Sequence, residues 1–253
     1  MTSRRNSNAS PQNRRAFLRA AGAGAAAALA GNLPFAVLAQ TGTSAKMKIG
    51  TIGSGRVGSA IGGAWVKAGH EVMFSSLDLE ADKKLAASLG AGARAGTPRE
   101  AAAFGAVLLV SVPYTALPGV GRDLGDLIKG KIIIDTSNPI VARDGDMAVA
   151  AREKGAGIAS AEFLPGARIV RAFNAIGAAR MADAAGKSER VGMPIAGDDP
   201  DAIRVASALI RDVGYEPVLV GTLATMGKYL IPGTPLAGER SPEEIRKVAA
   251  TLK

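Results

Sequence analysis

A doubly wound α/β fold on a mostly parallel sheet is what this 253-residue sequence predicts, and three observations carry that reading. Short apolar runs alternate with helix-compatible stretches along most of the chain. Two of the runs, 106–112 and 131–135, are apolar almost throughout, as strands covered by helices on both faces are. The first run ends in a glycine turn that opens directly into a helical pattern.

The elements follow in order. Lys48–Ile52 reads as the first strand. The turn Gly53-Ser54-Gly55-Arg56-Val57-Gly58 has G-x-G-x-x-G spacing. Gly53 suits a tight turn, Gly55 lets backbone approach a pyrophosphate, and Gly58 lets helix and strand pack closely. A helix over Arg56–Lys67 stops at Ala68-Gly69, and 72–75 supplies the second strand. Helical spacing then covers Leu79–Leu89, Pro98–Phe104, Leu117–Ile128, 148–154 and 200–213, between strands at 106–112, 131–135, 169–173, 194–196 and 218–220. Residues 46–175 form the Rossmann-type nucleotide-binding domain in this reading, and 176–253 a small α/β C-terminal extension. That extension has turn signals at Pro232-Gly233 and Pro235, then a helix opened by Ser241 with Glu244 at capping-box spacing.

Residues 1–39 read as an address rather than as fold. Asn13-Arg14-Arg15-Ala16-Phe17-Leu18-Arg19 resembles the twin-arginine export signature, an alanine-rich stretch follows, and Val37-Leu38-Ala39 fits a cleavage site before Gln40. The expectation is delivery by the twin-arginine export machinery to the periplasm or cell exterior. The stretch 20–30 is too alanine- and glycine-rich for a spanning helix, which needs about 20 strongly apolar residues. No stable membrane span is therefore expected after cleavage. Five arginines and no acidic residue lie in 1–39, so the rest of the chain carries +4 of the formal +9. No basic run with interleaved aromatics remains, which argues against nucleic acid as a partner. Cysteine is absent, which excludes disulfides, thiolate metal sites and cysteine nucleophiles. No metal site is expected. A small molecule is the expected partner, and a homodimer is an open alternative to the monomer.

The nucleotide is read from the end of the second strand. NAD sites place an acid about 20 residues beyond the glycines to bond the ribose. Ser75 and Ser76 stand there instead, which favours NADP, with NAD the alternative because Asp78 follows. Arg56, Lys83 and Lys84 are candidate phosphate cations. Ser111, Val112, Pro113, Asn138 and Pro139 end further strands, on the edge where open α/β sheets bind ligands. Ser111 and Pro113 are expected to shape the nicotinamide-ribose pocket and Asn138 to bond the carboxamide or ribose. The single histidine, His70, reads as a surface-turn residue. No residue is cast as acid, base or nucleophile; positioning is the catalytic device.

These residues resemble a known family, the NADP oxidoreductases that depend on the deazaflavin coenzyme F-420. The likeness rests on the glycine turn with Ala68-Gly69-His70-Glu71-Val72, on Val110-Ser111-Val112-Pro113, and on Asp135-Thr136-Ser137-Asn138-Pro139. Its most specific stretch is Leu164-Pro165-Gly166-Ala167-Arg168-Ile169-Val170-Arg171-Ala172-Phe173-Asn174. The resemblance implies hydride transfer between NADP(H) and a deazaflavin or flavin-type acceptor, with Phe173 and Asn174 walling the second-substrate cavity. Leu77 departs from it, standing where the family pattern has an arginine after the phosphate-binding serine. The alternatives are a nucleotide-binding sensor or electron-transfer module without turnover, and a reductase of another small substrate. Enzymes of the β-hydroxyacid type share the opening but add a large helical domain. Here only 79 residues follow Asn174, and they still contain strand patterns.

Overall fold

The computed structural model describes residues 45–181 and 190–252; the leader, with its export signature and cleavage site, lies outside the described residues. The described residues belong to one compact unit. Its first half is β1 (Lys48–Ile52), α1 (Arg56–Lys67), β2 (Glu71–Ser75), α2 (Leu79–Leu89), β3 (Ala93–Ala95), α3 (Pro98–Phe104), β4 (Val107–Val110) and α4 (Leu117–Ile128). Then come β5 (Ile132–Asp135), α5 (Val141–Lys154), α6 (Ala156–Phe163), β6 (Arg168–Arg171) and α7 (Ala178–Met181). The chain closes with β7 (Gly192–Gly197), α8 (Pro200–Asp212), β8 (Glu216–Gly221) and α9 (Pro242–Ala250).

The strands form one sheet in the order β3-β2-β1-β4-β5-β6-β7-β8. All neighbours are parallel except β6 and β7. Chain direction reverses its progress between β1 and β4, the switch point that defines a Rossmann-type fold. Both faces are covered. Val107 and Leu109 of β4 and Ile132 and Ile134 of β5 pack toward Trp65, Leu209 and Ile210 of α1 and α8. Their neighbours Leu108, Val110 and Ile133 pack toward Leu117, Leu124 and Ile128 of α4. Strands with two apolar faces lose the alternating polarity of a half-exposed strand, which is why these two runs read as continuous. Trp65 is fully buried and its Nε1 donates to the Leu209 carbonyl at 2.8 Å, fastening α1 to α8. A smaller cluster of Val218, Val220, Leu230, Leu236 and Ile245 seats α9 on β7 and β8.

Caps set the helix starts. Thr97 opens α3 and Ser241 opens α9, each with a complete capping box, to Glu100 and Glu244 respectively. Asp78 and Asp199 cap α2 and α8 through their side chains.

Several expectations need correction. The three-residue β3 had no periodic signal to announce it. The expected helix at 148–154 begins earlier, at Val141, with a break at Gly145, whose φ of 54° suits glycine. α6 has no counterpart among the expected helices, because its small residues give it almost no amphipathic pattern. It is held by close contact: a Cβ on Gly157 would lie 2.5 Å from the Leu223 carbonyl oxygen. The strand expected over 169–173 stops at Arg171. His70 follows α1 in a surface turn as expected, but its ring points inward and is buried. Its Nδ1 accepts from the Met47 N–H at 3.1 Å, and its Nε2 lies 3.0 Å from Asp212.

Candidate nucleotide site

The glycine turn works as three different geometries. Gly53 has φ 95°, in the left-handed region, and a Cβ there would meet the Ser111 carbonyl oxygen at 2.2 Å. Gly58 sits in the first turn of α1, where a Cβ would fall 2.0 Å from the Gly53 carbonyl oxygen. Gly55 differs from both. It is the N-cap of α1 with φ −64°, and nothing lies within 4 Å of where its Cβ would be. The turn is stitched to β2 by the N–H groups of Gly53 and Ser54, which donate to the Ser75 carbonyl at 2.9 and 3.0 Å. Backbone at the N-terminus of α1 thus faces open space, where an anion meets unpaired N–H donors and the positive end of the helix dipole.

That space is a cleft of about 720 Å³ at the carboxyl ends of β1, β2 and β4. Gly53, Gly55, Ser76, Leu77, Asp78, Ser111, Val112 and Pro113 line it, with Pro98, Thr115, Ala116, Val120 and Leu124 completing mostly apolar walls. Its size suits an elongated ligand, since small-molecule sites commonly run ~300–1,000 Å³. The wall beyond Pro113 is a single helical turn over Tyr114–Ala116, anchored by the buried Tyr114. The Tyr114 hydroxyl donates to the Ala156 carbonyl at 3.1 Å and lies 3.3 Å from Ser160 Oγ, and burial pushes its phenol above the usual range. α6 therefore props the cleft wall from behind.

The sequence-selected residues distribute unevenly around this cleft. Gly53, Gly55, Ser76, Ser111, Val112 and Pro113 line it. Arg56 is exposed at the start of α1, and Val57 packs partly against the core. Ser75 does not reach the cleft: it is fully buried, and its hydroxyl donates to the Thr51 carbonyl at 2.6 Å. The parallel register of β1 and β2 turns this side chain inward.

Asn138, Pro139, Phe173 and Asn174 gather further along the same sheet edge, beyond β5 and β6. From β1 to β6 is three strand spacings, about 14 Å. Asn138 Nδ2 donates to the Asn174 carbonyl at 2.9 Å, and Asn174 Nδ2 to the Ser137 carbonyl at 3.3 Å. The Oδ1 atoms of both asparagines and the Ser137 hydroxyl are buried without a protein partner. Pro139 is buried, and its carbonyl accepts from Arg152 at 2.8 Å. Phe173 is the exception to its expected role. It has φ 64°, the one described non-glycine residue in the left-handed region, and its ring stacks edge-on with Tyr215 in the core, centroids 6.1 Å apart. The left-handed backbone at Phe173 turns its ring into the core, while the equally buried Asn174 keeps an Oδ1 without a protein partner.

Two parts of the site lie outside the expected site residues. Arg171 and Asp135 are both fully buried and paired at 2.6 Å, with Arg171 also donating to the carbonyls of Ser137 (3.1 Å) and Leu230 (3.2 Å). This pair fixes the loops after β5 and β6. Asp82, 2% exposed, accepts hydrogen bonds from Ser54 and Ser76. Its signal was its spacing: four residues after the N-cap Asp78, it lies one turn up the same helix face. No cluster of histidine, cysteine and acidic residues suited to a metal exists among the described residues, and no described helix is long and apolar enough to cross a membrane.

Residues 48–139, which hold the glycine turn and both sides of the cleft, match the sequence pattern of the family described as NADP oxidoreductase, coenzyme F420-dependent. The chain is 32% identical over 180 residues to the F420-dependent NADP reductase of Methanothermobacter marburgensis, covering 66% of this chain and 80% of that protein. The chain belongs to the F420-dependent NADP oxidoreductase family. Membership places it among the NAD(P)-dependent oxidoreductases. A protein of Sinorhizobium meliloti described only as hypothetical has a similar structure, with TM-score 0.67 and 26% identity over 78% of this chain and 96% of that one. An Arthrobacter protein assigned as an F420-dependent NADP-reductase shares the fold at TM-score 0.59 and 20% identity, over 73% of this chain and 90% of that one. Leu77, next to Ser76, is fully exposed at the cleft lip.

Proposed function

We propose that this protein exchanges a hydride between NADP(H) and a deazaflavin or flavin-type acceptor, the two rings being held in contact at the carboxyl edge of the sheet. The observation that carries the reading is the open backbone at Gly55, facing a cleft at the β1/β4 switch point. Gly53, Gly55, Gly58 and the start of α1 would receive the pyrophosphate, with Ser54, Ser76 and Asp78 beside the adenosine ribose. Ser111, Val112 and Pro113 would border the nicotinamide ribose. The unpartnered oxygens of Asn138 and Asn174 suit N–H donors, such as a carboxamide or the pyrimidine edge of a flavin-like ring.

A hydride moving between two heterocycles needs no nucleophile or obligatory general base. The protein's part is to hold reacting carbons about 3–3.5 Å apart and to keep water out. The apolar cleft walls and the rigid, fully buried β4 and β5 serve that task. The test is to titrate the purified protein with NADPH and then mix it with oxidised coenzyme F420 or, separately, FMN. Bleaching of one acceptor at the expense of NADPH is the expected result. NADPH binding without transfer to either would overturn the acceptor assignment in favour of another small substrate or a sensor.

Export is a second proposal, supported by the twin-arginine pattern around Arg14 and Arg15. It predicts mature protein beginning near Gln40 outside the cytoplasm. Cytoplasmic protein that retains Met1 would overturn it.

A further inference from the structure

The adenosine end of the cleft contains a carboxylate that the glycine motif does not announce. Asp82 lies in the first turn of α2, 2% exposed, and takes the hydroxyl protons of Ser54 and of Ser76, the latter at 2.9 Å. A serine hydroxyl has one proton to give, and a carboxylate offers only acceptors. With both protons directed onto Asp82, the two serine oxygens present lone pairs to anything else. Ser76, which lines the cleft, already accepts the Asp78 N–H at 3.1 Å. A 2′-phosphate, itself rich in acceptors, meets oxygens with no proton to offer. A ribose 2′-hydroxyl has the proton they lack.

Charge acts in the same direction. The Asp82 carboxylate stands one hydroxyl behind the cleft wall, and the Asp78 side chain is in the wall, accepting from the Ala81 N–H at 3.0 Å. At the lip the fully exposed Leu77 supplies no cation, and Lys83 is paired with Glu80 at 2.8 Å. Arg56, exposed at the start of α1, and Lys84, exposed on α2, are left to answer a 2′-phosphate, which keeps NADP(H) within reach.

We infer that Asp82 is the specificity-determining residue of the nucleotide site: it disfavours the 2′-phosphate and opens the site to NAD(H) alongside NADP(H). The inference rests on the adenosine ribose lying beside Ser54 and Ser76, as proposed above. It acts through the two serines, so Asp82 is a positioning residue rather than a catalytic one.

The test uses the whole mature protein, wild type and Asp82→Asn, titrated with NADPH, NADH, adenosine 2′,5′-bisphosphate and 5′-AMP. The two fragments carry only the adenosine end and need no second substrate. Wild-type affinities for NADPH and NADH are expected within ~10-fold of each other, and Asp82→Asn is expected to raise the NADPH:NADH affinity ratio ~10-fold, a shift of about 1.4 kcal/mol. The bisphosphate and 5′-AMP should shift alike. An unchanged ratio, with both nucleotides weakened equally, is what a purely structural Asp82 would give and overturns the inference while the nucleotide site stands. Failure of wild type and variant to bind any of the four overturns the nucleotide reading, and the inference with it. Trp65 emission reports whether each variant is folded; should Asp82→Asn not fold, Asp82→Ser is judged by the same ratio.

Discussion

Replacing Gly55 by alanine separates folding from ligand binding within one turn. Gly55 has φ −64° and no atom within 4 Å of its Cβ position, so alanine enters without strain or clash. The unfolded chain loses freedom, which stabilises by about 0.4–1 kcal/mol. Alanine is a much poorer N-cap than glycine, which offsets that gain by about 0.5–1 kcal/mol. The net effect on stability is expected to stay within about 0.5 kcal/mol. Binding responds differently, because the methyl group stands where backbone N–H groups meet the pyrophosphate. Losing one charge-assisted hydrogen bond costs about 1.5–3 kcal/mol, or ~10- to 150-fold in affinity. Urea unfolding followed by Trp65 emission measures the first quantity, and NADPH titration the second. Gly58→Ala should show the reverse balance: its Cβ would lie 2.0 Å from the Gly53 carbonyl oxygen. Overpacking of that kind costs about 1–3 kcal/mol or more of stability. Wild-type NADPH affinity in Gly55→Ala would refute the argument, since the pyrophosphate would then not pass the start of α1.

Three further expectations follow from the fold. Arg171→Met strands the fully buried Asp135 carboxylate and should cost about 3–5 kcal/mol in urea unfolding, whereas replacing both partners by apolar residues should cost less; equal losses would count against the buried-pair account. Ser241→Ala removes one half of the α9 capping box and should cost about 1 kcal/mol, read as a lower urea midpoint with unchanged slope. The Arg168 guanidinium, with the Ala202 N–H, lowers the Asp199 carboxyl from its ordinary 3.8 to about 2. A depressed folded value stabilises the protein above pH ~4, and that contribution fades as pH falls through about 2. Asp199→Asn should therefore show a smaller drop in Tm between pH 5 and 2 than the wild type, and parallel Tm curves would remove Asp199 from the acid response.

Elements defined by near neighbours in the chain were legible before the structure. The β1-α1-β2 unit, α2, α3, α4 and the start of α9 rest on turns, caps and apolar periods that lie within a few residues of one another. The glycine turn could be read for the same reason, since its spacing states which backbone must approach a ligand. The strand-end positions Ser111, Pro113 and Asn138 followed from one topological rule, that ligands meet the carboxyl edge of an open α/β sheet.

Family and fold class, then, were determined by the sequence itself, because local patterns repeat along a chain wherever strands and helices alternate. Tertiary structure alone decided which side chains face the ligand. Ser75 and Ser76 are adjacent, yet the first bonds Thr51 in the interior and the second lines the cleft. Phe173 and Asn174 are both buried, yet a left-handed twist that no propensity announces sends the first against Tyr215 and ties the second to the Ser137 carbonyl. Asp82 meets Ser54 across 28 positions and Arg171 meets Asp135 across 36. Such pairs form only when separate elements are packed together, and packing, unlike periodicity, leaves no mark in the residues between them.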